Sequence, residues 1–179
     1  TRQRILDALY DRLREAPADP VSVDEVARIA RVARSTVYLV FGSRSGLFDA
    51  LTEHLFVGAG WDSILEAFRH PDARETLRRG LAGGVQMYAA HHEVCRILNS
   101  MAKLDPEGVG QALARSERRR GASMAWLAGR LAQQGVLRAG VTPDYAADLI
   151  WVLASFDAYD SLASGRALSP SCRRKDASN

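Results

Sequence analysis

Between Arg28 and Arg44 the sequence gathers side chains suited to one kind of chemistry, the recognition of a polyanion with readable edges. Four guanidinium groups, Arg28, Arg31, Arg34 and Arg44, fall between Val26 and Phe48 with no acid among them, so this segment can approach phosphates without self-repulsion. Arg34, Ser35, Thr36 and Tyr38 stand at and just after what reads as a helix start. There, guanidinium and hydroxyl groups can reach phosphate oxygens and base edges in a major groove.

Such residues need a scaffold that holds one short helix outward. Ser22 followed by Glu25 is a capping box, which starts a helix at Val23. Val26, Ala27 and Ala30 recur at helical spacing; after a break near Arg31 to Ala33, a second short helix carries Val37 and Phe41. Small residues at Ala27 and Ala30 let the two helices cross closely, the plan of a helix-turn-helix. Residues 3–16 form a bracing helix with Ile5, Leu6, Leu9 and Leu13 on one stripe, ended by Pro17. Beyond Phe41, Gly42 breaks the chain and Ser43 caps a connecting helix with Leu47, Phe48, Leu51, Leu55 and Phe56, in which Gly58 and Gly60 predict a bend.

The run VDEVARIARVARSTVYLVFGSRSGLFDAL resembles the N-terminal domain of the TetR family of transcriptional repressors. Val26, Ala27, Thr36, Val37, Tyr38, Phe41, Arg44, Leu47 and Phe48 carry the likeness. It implies that Arg34, Ser35, Thr36, Tyr38 and Ser43 touch DNA, and that Arg44 holds a phosphate at the start of the next helix. It also implies a homodimer on a palindromic operator, released by a small effector. Two departures stand out: Arg31 replaces the usual turn glycine, and Ala33 replaces the usual capping Ser or Thr. An uncapped start weakens a helix by about 0.5–2 kcal/mol, and a side chain at Arg31 strains the turn. Leu39 and Val40 are apolar where the family is commonly polar or aromatic, which suits either contact with thymine methyls or an apolar exposed face.

The chain has 179 residues, 47% of them hydrophobic, enough for a real core; its net charge of +3 permits nucleic-acid binding without establishing it. Two cysteines, Cys95 and Cys172, make no disulfide framework, and no leader or membrane-length apolar run stands out, so a cytoplasmic place is expected. Asp72 with Glu75 opens a helix bearing Leu77, Leu81, Val85 and Tyr88. A short one follows with Val94, Ile97, Leu98 and Met101, and Asp105-Pro106 opens a long one that stops at Gly135. Thr142-Pro143 starts a final helix reaching about Ser164, apolar nearly all round and therefore covered on two sides, most simply by its copy in a partner. With no strand-like alternation, the fold is predicted to be all-α. A helix-turn-helix DNA-binding domain at 1–48 precedes a helical effector-binding and dimerisation domain at 49–165, and 166–179 reads as a disordered tail.

Other clusters carry less. His91, His92, Glu93 and Cys95 offer metal-ligand types, but they sit at a helix junction where such residues usually cap or face water. Gly80, Gly83 and Gly84 follow no strand, so they suit close packing or room for a ligand rather than a phosphate loop. Arg115, Arg118, Arg119 and Arg120 read as a solvated helix face around Glu117. Met87, Tyr88, Met101, Met124, Trp126, Trp151 and Phe156 could line a pocket for a small, largely apolar effector, although such residues are most often packing material. There is no nucleophile–base constellation, carboxylate pair or strong metal spacing, so neither an enzyme nor a cofactor is expected. The sequence therefore points to a DNA-binding regulator with double-stranded DNA, a small molecule and a second copy as partners, and no membrane. The rival is a helical dimeric interaction protein of the same fold that has lost DNA binding.

Overall fold

The computed structural model describes residues 1–17, 19–56 and 60–165. These residues are all-helical, with no strand among them. The helices are α1 (Arg2–Glu15), α2 (Val23–Ile29), α3 (Arg34–Phe41), α4 (Arg44–Phe56), α5 (Trp61–Arg69), α6 (Ala73–Ala90), α7 (His92–Leu104), α8 (Gln111–Gln133), α9 (Pro143–Leu153) and α10 (Phe156–Gly165). A π-helical turn, Pro106–Gly110, leads from α7 into α8. Among the described residues no helix is long and apolar enough to cross a membrane.

The first three helices form as the spacing predicts. Ile5, Leu6, Leu9 and Leu13 of α1 are buried against Val26, Ala27, Val37, Leu47, Phe48 and Leu51. At the end of α2 the amide of Val32 donates to Ala27 O at 2.9 Å and that of Arg31 to Arg28 O at 3.2 Å, a Schellman closure in which Arg31 takes the left-handed position with φ 52°. The turn is therefore as tight as a glycine would make it, with an arginine bearing the strain. Ala33 stands at the N-cap of α3 with no side-chain cap, as expected. Ser43 accepts the Gly46 amide at 2.9 Å and starts α4. A Cβ at Gly46 would lie 2.1 Å from Phe41 O, so only glycine lets α3 and α4 meet at this corner.

Both capping boxes close on one side only. The Ser22 hydroxyl accepts the Glu25 amide at 3.1 Å, but the Glu25 carboxylate turns away to take Arg12 Nε at 2.5 Å. That arginine is almost fully buried and pins α1 to α2. Asp72 likewise caps α6 at Arg74 N and Glu75 N, while Glu75 pairs with Arg78 and Arg79. A guanidinium within reach offers a carboxylate more than one backbone amide does.

Three helix boundaries depart from the sequence reading. The connecting helix ends at Phe56 instead of bending in its middle, and Gly60, at φ 81°, starts a separate α5; Gly58 lies outside the described residues. Gly60 also sits against α6, since a Cβ on it would lie 2.3 Å from Gly83 O. The helix expected to open at Pro106 begins with the π-helical turn, whose Asp105 cap accepts Gly108 N at 2.9 Å. The last long helix is two, α9 and α10. Ser155 breaks it by donating to Val152 O at 2.7 Å and accepting Ala158 N at 3.1 Å, so one hydroxyl ends one helix and caps the next. The expected tail at 166–179 lies outside the described residues.

The core of the head does not stop at residue 48. It continues through Leu51 and Leu55 of α4 into Val94 and Leu98 of α7, Val109 and Ala112. A second core joins Ala73 of α6, Leu127, Ala128 and Leu131 of α8, and Ala146 and Ile150 of α9. The head thus shares its core with α7 and the beginning of α8, with α4 running through it, while the far part of the body has its own.

Candidate nucleic-acid interface and interior cavity

On α3, Val37 is buried and Phe41 half-buried, and these two define the inward side. At 100° per residue, Leu39 falls opposite that side, flanked by Ser35 and Thr36. Leu39 is 86% exposed and Ser35 is exposed, so the outward ridge of α3 is two hydroxyls and one isobutyl group. Arg34 extends from the first turn, where its guanidinium donates to Asp24 Oδ2 at 2.8 Å and lies 5.5 Å over the Tyr38 ring. Both members of that ion pair are more than half exposed, so a phosphate can exchange for Asp24 at little cost. Arg28 and Arg31 are exposed as well.

Two residues of the expected set are occupied differently. The Ser43 hydroxyl is engaged as the cap of α4. Arg44 turns inward: its Nε donates to Asp105 Oδ2 at 2.9 Å, one terminal nitrogen donates to Val21 O at 2.6 Å, and the guanidinium lies 5.0 Å over the Phe48 ring. Burial pushes the Asp105 carboxyl up, but hydrogen bonds from Arg44 and from Gly108 N outweigh it and hold the group below the usual aspartate range. In this geometry Arg44 straps the head to the junction between α7 and the π-helical turn rather than reaching outward.

Behind the head, α4, α6, α7, α8, α9 and α10 line an open-sided cavity of about 560 Å³. Of the residues weighed as a pocket, Met87, Tyr88, Trp151 and Phe156 line it. Met101 packs on the first core, Met124 on the second, and Trp126 lies outside, stacked on Phe68 at 5.3 Å beneath Arg130. Each belongs to a helix with two apolar faces, and its face is the other one. The wall also holds His91, Cys95, Asn99, Glu117, Arg120 and Asp157, which the sequence reading did not assign to it. Their helical phase carried a signal, since Tyr88, His91, Cys95 and Asn99 succeed one another at three- and four-residue steps along one side of α6 and α7. Burial pushes the Cys95 thiol up to about 12 and lowers His91, so thiol and imidazole are both uncharged at neutral pH.

The residues weighed as a metal site serve as struts. His91 Nδ1 lies 3.1 Å from the Tyr10 hydroxyl of α1, edge-on to its ring, and His92 Nε2 lies 2.6 Å from Asp160 of α10. Among the described residues no group of three ligand-type side chains converges on a metal position. Part of the arginine run is likewise tied down: Arg115 pairs with Asp49 of α4 at 2.5 Å, and Arg120 with Glu117. On α9, Tyr145, Leu149, Val152 and Leu153 form one exposed apolar stripe, with Leu153 66% exposed.

Residues 5–51 match the family model described as bacterial regulatory proteins, tetR family. The match covers the head of the chain, α1 to the first part of α4. No curated protein matches it. A Rhodococcus sp. structure assigned as a TetR-family transcriptional regulator is similar with a TM-score of 0.65 at 21% identity, over 93% of this chain and 95% of that one. PfmR, a TetR family transcriptional regulator from Thermus thermophilus, gives 0.60 at 21% identity over 93% and 88%. A TetR-like transcriptional regulator from Rhodococcus sp. RHA1 gives 0.51 at 23% identity over 90% and 94%. At these identities the structures establish the all-helical fold, and the match over α1 to α4 establishes the helix-turn-helix head.

Proposed function

We propose that this protein is a dimeric repressor, which reads a palindromic operator through α3 of each protomer and leaves it when a small, largely apolar molecule fills the cavity. The observation that carries the reading is the double use of α4. Leu47, Phe48 and Leu51 of that helix build the core of the head, while Thr52 and Leu55, one turn on, face the cavity. His91 adds a second link, since it lines the cavity and touches Tyr10 of α1. A molecule that displaces this wall moves the head with it.

In the complex, Arg34, Ser35, Thr36 and Tyr38 make the outward contacts. Arg34 exchanges Asp24 for phosphate, and Ser35 and Thr36 approach base edges. Ser43 contributes through its exposed helix start, and Arg44 holds the head in place. The α9 stripe joins two protomers so that the recognition helices stand about 34–36 Å, or a small multiple, apart. The coupling is reciprocal: effector weakens DNA as much as DNA weakens effector, by roughly 1–3 kcal/mol for a useful switch. The rival, an interaction protein without DNA, draws on the exposed Leu39 and the uncapped Ala33. Selection from a random duplex pool separates them. Recovery of a palindrome whose preferred bases change in Thr36→Ala supports the repressor, and a pool that stays random after several rounds rejects it.

A further inference from the structure

The wall of the cavity is apolar over most of its area, but its charges do not balance. Arg120 is the arginine of the wall, and each of its nitrogens is engaged: Nε and one terminal nitrogen hold both oxygens of Glu117 at 3.3 and 2.5 Å, and the other donates to Trp151 O at 2.5 Å. The guanidinium also lies 4.9 Å over the Trp151 ring. His91, the other basic group of the wall, is lowered by burial and bonded to Tyr10. An entering anion therefore meets no cation that is free to receive it. Asp157 is the opposite case, since among the described residues no cation pairs with it. Asp157 is an exposed residue of the cavity wall in the first turn of α10, next to Phe156 in the chain, and the Tyr88 ring meets Phe156 at 5.5 Å and Tyr159 at 5.8 Å. The Tyr88 hydroxyl senses the imbalance: burial raises it to about 12, Arg120 opposes, and Glu117 and Asp157 add to the rise.

We propose that the cavity selects apolar amines. The body of such a molecule lies against Tyr88, Trp151 and Phe156, its protonated nitrogen faces Asp157, and carboxylates of the same shape are turned away. This rests on the reading of the cavity as the effector site. Aromatic faces beside an uncompensated carboxylate attract a cation twice, through the ring quadrupole and through the charge. A carboxylate would meet Asp157 and Glu117 as like charges, and could reach Arg120 only by breaking its pair with Glu117. The place of Asp157 in the first helical turn also steadies α10, so the test must read ligand and not stability alone.

The experiment uses three probes on one skeleton, 3,3-diphenylpropylamine, 3,3-diphenylpropan-1-ol and 3,3-diphenylpropionic acid, titrated calorimetrically into the full chain at neutral pH, with uptake of the neutral dye Nile red as a control. The amine should bind tightest and the acid weakest. Asp157→Asn should remove the amine's lead over the alcohol, roughly two- to fivefold for a partly exposed charge pair, and leave the alcohol unchanged. Glu117→Gln frees Arg120 and should improve the acid. An acid that binds the unmutated protein as well as the amine, or a lead that survives Asp157→Asn, overturns the proposal. Failure of the amine in a protein that takes up Nile red overturns the ligand class alone. Failure of all three probes and the dye overturns the cavity as a binding site, and the class with it.

Discussion

Replacing Arg44 by alanine distinguishes a strap from a phosphate contact, because the two roles move different observables. The side chain makes two bonds to the Asp105 carboxylate, each 2.9 Å, and one of 2.6 Å to Val21 O, and it stacks on Phe48. The pair is about a third exposed, at 31 and 28%, so its contribution lies between a surface ion pair at about 0–1 kcal/mol and a buried charged hydrogen bond at about 1.5–3. With the carbonyl bond and the ring contact included, the loss comes to roughly 2–3 kcal/mol. Asp105 keeps the Gly108 amide and is not orphaned, which sets the upper limit. For a chain of this size the melting temperature should fall by about 5–10 °C at fixed protomer concentration. Arg44→Lys, which keeps the charge but not the fork, should recover little of it. The slope of log K for DNA against log salt should stay the same. If Arg44 instead neutralised one phosphate per protomer, the slope would shrink by about 2 per dimer. An Arg44→Ala protein with unchanged melting and a slope reduced by that amount would refute the strap.

Four other outcomes follow from the same geometry. Arg31→Gly should stabilise the head by about 0.5–1 kcal/mol, because a left-handed residue with a side chain is strained by roughly 1–2 kcal/mol and glycine gives part of that back in chain entropy; the urea midpoint should rise with its slope unchanged. Leu39 can find an apolar partner in a major groove only at thymine methyls, so uracil in place of operator thymine should weaken binding severalfold in the unmutated protein and have less effect in Leu39→Ala. Leu153→Glu puts a charge on the α9 stripe and should give monomer in light scattering; an unchanged dimer would place the seam elsewhere. Burial lowers His91 below its usual 6.5, so the unfolded chain takes up the proton first; stability should decline as pH falls below about 6.5, and His91→Gln should flatten that slope.

Most of the head was legible because its rules are local. The α1 stripe, the small residues of α2, the strained turn at Arg31, the missing cap at Ala33 and the Ser43 start all follow from residues within a few positions of each other, and each appears as expected. What could not be read was long-range competition for charged groups. Glu25 and Glu75 have the right spacing to close capping boxes, but arginines brought near them take the carboxylates. Arg44 resembles a phosphate contact until α7 brings Asp105 beside it. The cavity was half legible for a related reason. Aromatic and methionine content marks a helix as buried, yet only the packing of α6, α7 and α8 decides that Tyr88 faces the cavity and Trp126 faces Phe68. The break between α9 and α10 rests on one hydroxyl, Ser155, in a run otherwise apolar enough to read as a single helix.

The most direct test is a fluorescence-anisotropy titration of the unmutated protein on the duplex upstream of its own gene, against a shuffled duplex of equal length, from low to physiological salt. The account predicts saturation at two protomers per site, a preference over the shuffled duplex of roughly 10³ or more at physiological salt, and a steep salt slope. Equal and weak affinity for both duplexes, vanishing together as salt is raised, would contradict it.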